Sequence, residues 1–254
     1  MADLSGKHAL VTGGGTGVGA AIALALAGAG ANVTITGRRR APLDEVAGKH
    51  ANIHPTTGDV TDERSVAQMF DVANRYHGPV DIVIANAGAA ESAPLSKTSL
   101  ELWEQMLAVN LTGAFLTLRE GLNTMNGRDW GRLIAISSTA GLKGYAYVGA
   151  YSAAKHGVIG LVRSLALETA RSGVTVNALC PGFTETPLLS ASVSNIMEKT
   201  GMSEDKARAS LAAGNPTGRF VQPEEVAAAV LWLCGEGSGS VSGQSISISG
   251  GETW

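Results

Sequence analysis

"HALVTGGGTGVGAAIALALAG", His8 to Gly28, joins a short apolar run to an Ala/Leu-rich run through a turn crowded with glycines. The apolar run has the length and content of a buried strand, and the Ala/Leu run has those of a helix. Between them, Thr12 to Gly19 reads "TGGGTGVG". Gly13 can take the tight turn, Gly17 lets a phosphate approach the backbone, and Gly19 lets the helix pack closely on the strand. A helix that begins directly after such a turn offers unpaired N–H groups and the positive end of its dipole, where a pyrophosphate binds. Strand, glycine turn and helix in that order point to dinucleotide binding; glycines without those flanks would indicate only a turn.

The remaining chain repeats this alternation. Strands are expected at 32–36, 52–57, 80–85, 132–137, 174–179 and 245–249, with Pro55 weakening the second of these, and helices at 62–77, 98–125, 151–171 and 223–234. Apolar strands separated by helices imply an α/β, doubly wound Rossmann-type fold, a parallel sheet of about seven strands covered by helices on both faces. At 254 residues and 44% hydrophobic content, one domain over 1–254 is expected. Its irregular stretch, 184–218, is rich in Ser, Thr, Gly and Pro with a helical middle, and is expected to form a substrate lid. A net charge of −3, spread along the chain, gives no footprint for nucleic acid or an anionic membrane. No apolar run is long enough to span a bilayer. Cys180 and Cys234 lack metal-ligand spacing and read as buried free thiols, so no metal and a cytoplasmic location are expected.

"YSAAK", Tyr151 to Lys155, places a phenol and an ammonium one helical turn apart with only small residues between them. A free tyrosine titrates near 10 and is poorly matched to proton transfer at neutral pH. An ammonium about 5 Å away favours the phenolate by about 3 kcal/mol, which would lower the phenol's pKa by about two. The alanines at 153 and 154 leave room for a cofactor against the helix. Read as a surface pair, the two would contribute only a few tenths of a kcal/mol.

With "NAG" at 86–88, "VNLTG" at 109–113, "ISS" at 136–138 and "PGFTET" at 181–186, the TGxxxGxG turn and "YSAAK" follow one another at the spacing of the short-chain dehydrogenase/reductase family. The chain resembles that family over nearly its whole length. The resemblance implies Tyr151 as general acid/base, Ser138 as hydrogen-bond donor to the substrate oxygen, Lys155 as partner of Tyr151 and of the nicotinamide ribose, and Asn110 as holder of a relay water. Asn110 can equally be a polar residue satisfying a distorted helix. Ser137 neighbours Ser138, but alternation turns it to the opposite side. For the cofactor, the resemblance implies contacts from Gly13, Gly15, Thr16, Gly17, Val18 and Gly19, and from Asn86, Ala87 and Gly88. It adds Pro181, Gly182, Thr184 and Thr186, with Thr186 at the carboxamide. Asp59 and Val60 match the adenine-contacting pair, although Asp59 can also serve as a helix cap with Thr61.

Where an acid would hold the ribose hydroxyls, strand two ends in "TGRRR", with Gly37 followed by Arg38, Arg39 and Arg40. A guanidinium can bind a 2′-phosphate that an acid would repel, so NADP(H) is favoured, with NAD(H) the alternative. Arg38 is the first candidate, Arg39 the second, and Arg40 decorates an exposed turn. The basic residue that many NADP-using relatives carry just before the second glycine is absent, Thr16 standing there. A ketone or secondary alcohol is the expected substrate, in particular a 3-oxoacyl thioester, because the longer motifs look most like 3-oxoacyl-thioester reductases, 3-hydroxyacyl-CoA dehydrogenases and polyketide ketoreductases. Leu142, Tyr145, Leu188 and Leu189 are expected to line an apolar pocket with Ser138 and Tyr151. The family's habit of pairing the helices at 98–125 and 151–171 implies a homotetramer or dimer. Trp103 and Trp232 read as core or interface, and Trp254 as either disordered or closing a neighbour's pocket. The alternative function is an NADP(H)-binding regulator without turnover, a class that usually loses the Tyr/Lys pair kept here.

Overall fold

Successive residues of the central apolar runs enter two different cores, one on each face of the sheet. A computed structural model describes residues 2–253, so Trp254 lies outside the described residues. In β1 (His8–Thr12), Ala9 and Val11 enter one core and Leu10 the other. β4 (Ile82–Ala85) and β5 (Gly131–Ile136) divide the same way: Ile82, Ile84, Ile134 and Ile136 face the first core, Val83, Ala85, Leu133 and Ala135 the second. This is why these strands are apolar throughout and do not alternate. With β2 (Asn32–Gly37), β3 (Ile53–Thr57), β6 (Val174–Pro181) and β7 (Ser245–Ile248) they form one parallel seven-stranded sheet in the order β3-β2-β1-β4-β5-β6-β7.

The first core is covered by α1 (Gly17–Gly28), through Ile22 and Leu26, and by α9 (Pro223–Cys234), through Val226, Val230 and Leu233. The second is covered by α3 (Glu63–His77), α5 (Gly113–Met125) and α6 (Gly149–Glu168), with Phe70, Leu118, Val158 and Val162 among the buried residues. Each such fully buried side chain contributes about 1.5–3 kcal/mol. Because β1 pairs with β2 on one side and β4 on the other, the strand order reverses there and opens a crevice at the carboxyl ends.

Four local expectations are corrected. A short helix, α2 (Arg40–Ala47), follows β2 where none was read; Pro42 sits in its first turn, where a missing N–H costs nothing. The helix expected over 98–125 is two, α4 (Leu100–Leu107) and α5, joined by a π-helical turn at Ala108–Thr112. There the Asn110 side chain donates to the Met106 carbonyl at 3.0 Å and competes with the backbone ladder. Residues 184–218 contain two helices, α7 (Pro187–Thr200) and α8 (Glu204–Ala212), packed around Leu189, Val193, Ala207 and Phe220. Trp232 is 53% exposed and so is not core. Pro55 is tolerated because β3 is an edge strand with one neighbour.

Candidate active site

The glycine turn, "NAG", "ISS" and "PGFTET" share one end of the parallel sheet, because each lies at the carboxyl end of a strand, whereas "VNLTG" sits on the π-helical turn and "YSAAK" on the first turns of α6. The turn after β1 is held by Thr12, whose hydroxyl donates to the Ile84 carbonyl at 3.2 Å and accepts from Asn86 N–H at 3.0 Å and Ala87 N–H at 3.1 Å. Asn86 in turn donates from Nδ2 to the Thr12 carbonyl at 2.8 Å. Gly13 has φ +66°, and a Cβ there would lie 2.9 Å from Asn86 Nδ2. A Cβ on Gly19 would lie 2.3 Å from the Gly13 carbonyl oxygen, which is the close packing its sequence position implied. Gly17, at φ +53°, faces Thr186, whose Cγ2 would lie 3.1 Å from an added Cβ. Thr16 precedes α1 without a side-chain cap, and no acid stands in the helix's first turn, so its N–H groups remain open to an anion.

A cleft beside this turn is lined by Gly13, Gly15, Thr16, Arg38, Arg39, Asp59, Val60, Ala87 and Gly88 among the expected residues. Gly37, at the position where an acid would hold the ribose, lines it too, as do Pro42, Leu43, Gly58, Ala89 and Val109, which were not foreseen. Asp59 binds the Thr61 N–H at 2.9 Å and hydroxyl at 2.8 Å, while the cap of α3 is Asp62. Arg38 and Arg39 are exposed at the far end, and Arg40 is engaged with Asp44 at 2.7 Å. Val18 packs against the first core and does not line the cleft, as its place on α1 dictates. Gly17, Gly19, Asn86, Pro181, Gly182, Thr184 and Thr186 do not line it; of these, Gly19 and Asn86 pack against Gly13, Gly17 faces Thr186, and Gly182 faces Glu252 and Ser249.

At the other end of the cleft, Gly88 is wedged between two expected residues: a Cβ there would lie 2.9 Å from Asn110 Oδ1 and 3.7 Å from Lys155 Nζ. Asn110 also grips Ala89, accepting from its N–H at 3.2 Å and donating to its carbonyl at 2.9 Å. Lys155 is 4% exposed; its Nζ donates to the Ile136 carbonyl at 2.8 Å and lies 5.7 Å from the centre of the Tyr151 ring. Ser138 stands beside Tyr151 and caps a short turn by accepting from Ala140 N–H at 3.1 Å. Ser137 points the other way and donates to the Lys155 carbonyl at 3.1 Å.

The electrostatics correct one expectation. Burial pushes the Tyr151 hydroxyl above its ordinary value, with Ser138 pulling weakly the other way, and burial pushes Lys155 down to about 8. Taking both groups out of water outweighs the attraction that was expected to acidify the phenol. Burial therefore favours the protonated phenol over the phenolate.

The family model for short chain dehydrogenase matches residues 7–196. The chain belongs to the short-chain dehydrogenase family. It is 37% identical to D-beta-hydroxybutyrate dehydrogenase of Rhizobium meliloti over 84% of each chain. It is 38% identical to 3-oxoacyl-(acyl-carrier-protein) reductase of Aquifex aeolicus over 98% of each. Its structure superposes on that of an actinorhodin polyketide ketoreductase variant with NADPH at a TM-score of 0.94, with 34% identity over 99% of each chain. This short-chain dehydrogenase is thus an NAD(P)-dependent oxidoreductase acting between a ketone and a secondary alcohol. Nothing in these likenesses supports a regulator without turnover.

The cradle fits a nicotinamide dinucleotide: the glycine positions have no space for a Cβ, the α1 N-terminus is uncapped, and guanidinium groups stand at the far end. Of the residues expected to line a substrate pocket in the dehydrogenase, Leu142 packs partly into the second core and Leu188 is 43% exposed. Leu189 is instead turned into the small core between α7 and α8, since consecutive helical residues cannot share a face. Tyr145 stands next to Thr139, with its hydroxyl 2.7 Å from Thr139 Oγ1 and 2.6 Å from Glu252 Oε1. Sequence reasoning missed Thr12, Thr139, Lys143 and Glu252. Thr12 opened the quoted glycine turn and could have been found there, whereas nothing near Glu252 in sequence signals its partner 107 residues away.

Proposed function

We propose that this enzyme is an NADP(H)-preferring reductase of ketones, 3-oxoacyl thioesters in particular, with Tyr151 as proton donor. The observation that carries this is the convergence of Ser138, Tyr151, Lys155 and Asn110 at the end of a cleft whose other end presents Arg38. The cofactor, when bound, supplies or accepts the hydride. Ser138 donates a hydrogen bond to the substrate oxygen and stabilises the negative charge that develops there. Tyr151, half-buried and with its phenol favoured by desolvation, gives its proton to that oxygen. Lys155 holds a charge beside the ring that offsets the phenolate left behind, and Asn110 fixes the backbone of residue 89 beside it. In the reverse direction Tyr151 must first ionise, so alcohol oxidation rises toward alkaline pH while ketone reduction does not need that rise.

NADP(H) preference is supported by the exposed Arg38 and Arg39 in the cleft and by Gly37 standing where an acid would be. The reading takes 1–254 as one catalytic domain with 184–218 as its substrate lid, supported by α7 and α8 packing on a small core of their own. It also takes the protein to be a cytoplasmic homotetramer or dimer. Both cysteines are free and buried, and Phe115 on α5 and Leu167 on α6 are exposed. The test is Tyr151→Phe. Ketone reduction, followed as nicotinamide absorbance, falls about 1,000-fold while cofactor binding persists; a near-normal rate would remove Tyr151 from the proton step.

A further inference from the structure

Glu252, on the segment after β7, carries a buried carboxylate that does not line the nucleotide cleft and has no part in the chemistry above. Its side chain is 2% exposed. Oε1 accepts from the Tyr145 hydroxyl at 2.6 Å and pairs with Lys143 Nζ at 3.1 Å. A hydroxyl has one proton and a carboxylate can only accept, so Tyr145 donates to Glu252 and the Thr139 hydroxyl, 2.7 Å away, donates to Tyr145. Two glycines make room for this carboxylate: a Cβ on Gly182 would lie 3.2 Å from Oε2, and one on Gly214 2.9 Å from Oε1. The loop before α6, the turn after β6 and the loop after α8 therefore meet on a single acid.

This assembly borders the reacting group. Thr139 follows Ser138 directly, and the Tyr145 ring meets Phe183 edge-to-face at 6.2 Å. Tyr145 and Tyr151 are near enough that the charge of one opposes ionisation of the other. The loop between Ser138 and Tyr151 contains one cationic residue, Lys143, and that cation is already matched by Glu252. Lys155, the other ammonium nearby, is turned to the Ile136 carbonyl. A substrate carboxylate on this side would be desolvated beside the Glu252 carboxylate, with the one ammonium of this loop already paired.

We propose that Glu252 is a specificity-determining residue, a fixed carboxylate behind Tyr145 that neutralises Lys143 and selects uncharged ketones over ketones bearing a carboxylate. The proposal rests on reading the Ser138/Tyr151/Lys155 centre as the site of ketone reduction. Matched 3-oxo acids and their ethyl esters, open-chain and cyclic, are the probes, with NADPH and NADH each supplied. The wild-type enzyme favours ester over acid by at least about tenfold in kcat/KM, the difference lying in KM. Glu252→Gln frees the Lys143 ammonium, lowers the KM for the acids and cuts the ester-to-acid ratio by about tenfold, a change that a merely structural role would not produce. Lys143→Met leaves the preference for esters intact or stronger, and provides a second variant should Glu252→Gln fail to fold. Equal use of acid and ester by the wild type overturns the proposal and leaves ketone reduction standing. So does an unmoved ratio in a Glu252→Gln protein that melts normally and binds cofactor. Failure of the wild type to reduce any of these ketones with either cofactor removes the parent reading, and this one with it.

Discussion

The nucleotide side of the cleft is built from backbone, and the substrate side from side chains. Around the first, glycines at 13 and 19 meet the carbonyl of Gly13, the Asn86 amide and the backbone of Ala87 at distances where no Cβ fits. Around the second, Gly182 faces the end of the Glu252 carboxylate and, at ordinary contact distance, Ser249; Gly214 faces the same carboxylate, and Gly144 faces open space. The difference follows from what each side recognises. A pyrophosphate is held by N–H groups, which only correctly bent backbone can supply. A substrate is chosen by the size and charge of side chains, which can change without moving the chain.

Gly19→Ala tests the first half most severely. Its methyl would sit 2.3 Å from a backbone oxygen that cannot yield, so cofactor affinity falls about 100-fold or more and stability by about 2–3 kcal/mol. Calorimetric titration and urea denaturation read both, and normal binding would show that the turn is not rigid. Next in size is Lys155, where the two halves meet. Its pKa is pushed from 10.5 to about 8 by burial, so between those values the unfolded chain holds a proton that the native protein has released. Stability from this group therefore rises with pH across that window, by about 3 kcal/mol in all. Lys155→Met should be the more stable protein near neutrality, and its advantage should shrink toward pH 10.5; a constant difference would show that Lys155 is not desolvated. Arg38→Ala should lower the preference for NADPH over NADH about tenfold or more, whereas Arg40→Ala, its cation engaged with Asp44, should not. Equal effects from both would make the arginine turn a diffuse charge and not a site. The smallest change belongs to the substrate side: Gly144→Ala, with nothing within 4 Å, should alter stability by no more than about 0.5 kcal/mol. A large loss there would erase the contrast between the halves.

The sheet was legible because strand and helix periodicities are local, and all seven strands begin and end within two residues of expectation. β3 needed its place at the edge to explain Pro55. A helix distortion at Asn110 was anticipated from its polar side chain, but its π-helical form and the break between α4 and α5 were not, since they depend on the side-chain bond that competes with the ladder. Ser138 was picked by its offset from Tyr151 in the resembled family, alternation set Ser137 on the opposite side, and the structure turns the two to opposite sides. Leu188 and Leu189 could not be sorted in the same way, because which face α7 buries depends on α8 and Phe220.

Chain order and residue type were enough for the alternation of elements, the glycine turn, the Tyr/Lys spacing and the identity of the residues that gather at the strand ends, since each depends on neighbours within a turn or two of backbone. Burial was settled elsewhere. Whether Tyr151 is acidified or kept neutral, whether Lys155 is an ordinary ammonium, and which cation Glu252 occupies depend on how much water the packed elements exclude. Desolvation is a property of the whole fold, and no stretch of residues carries it alone.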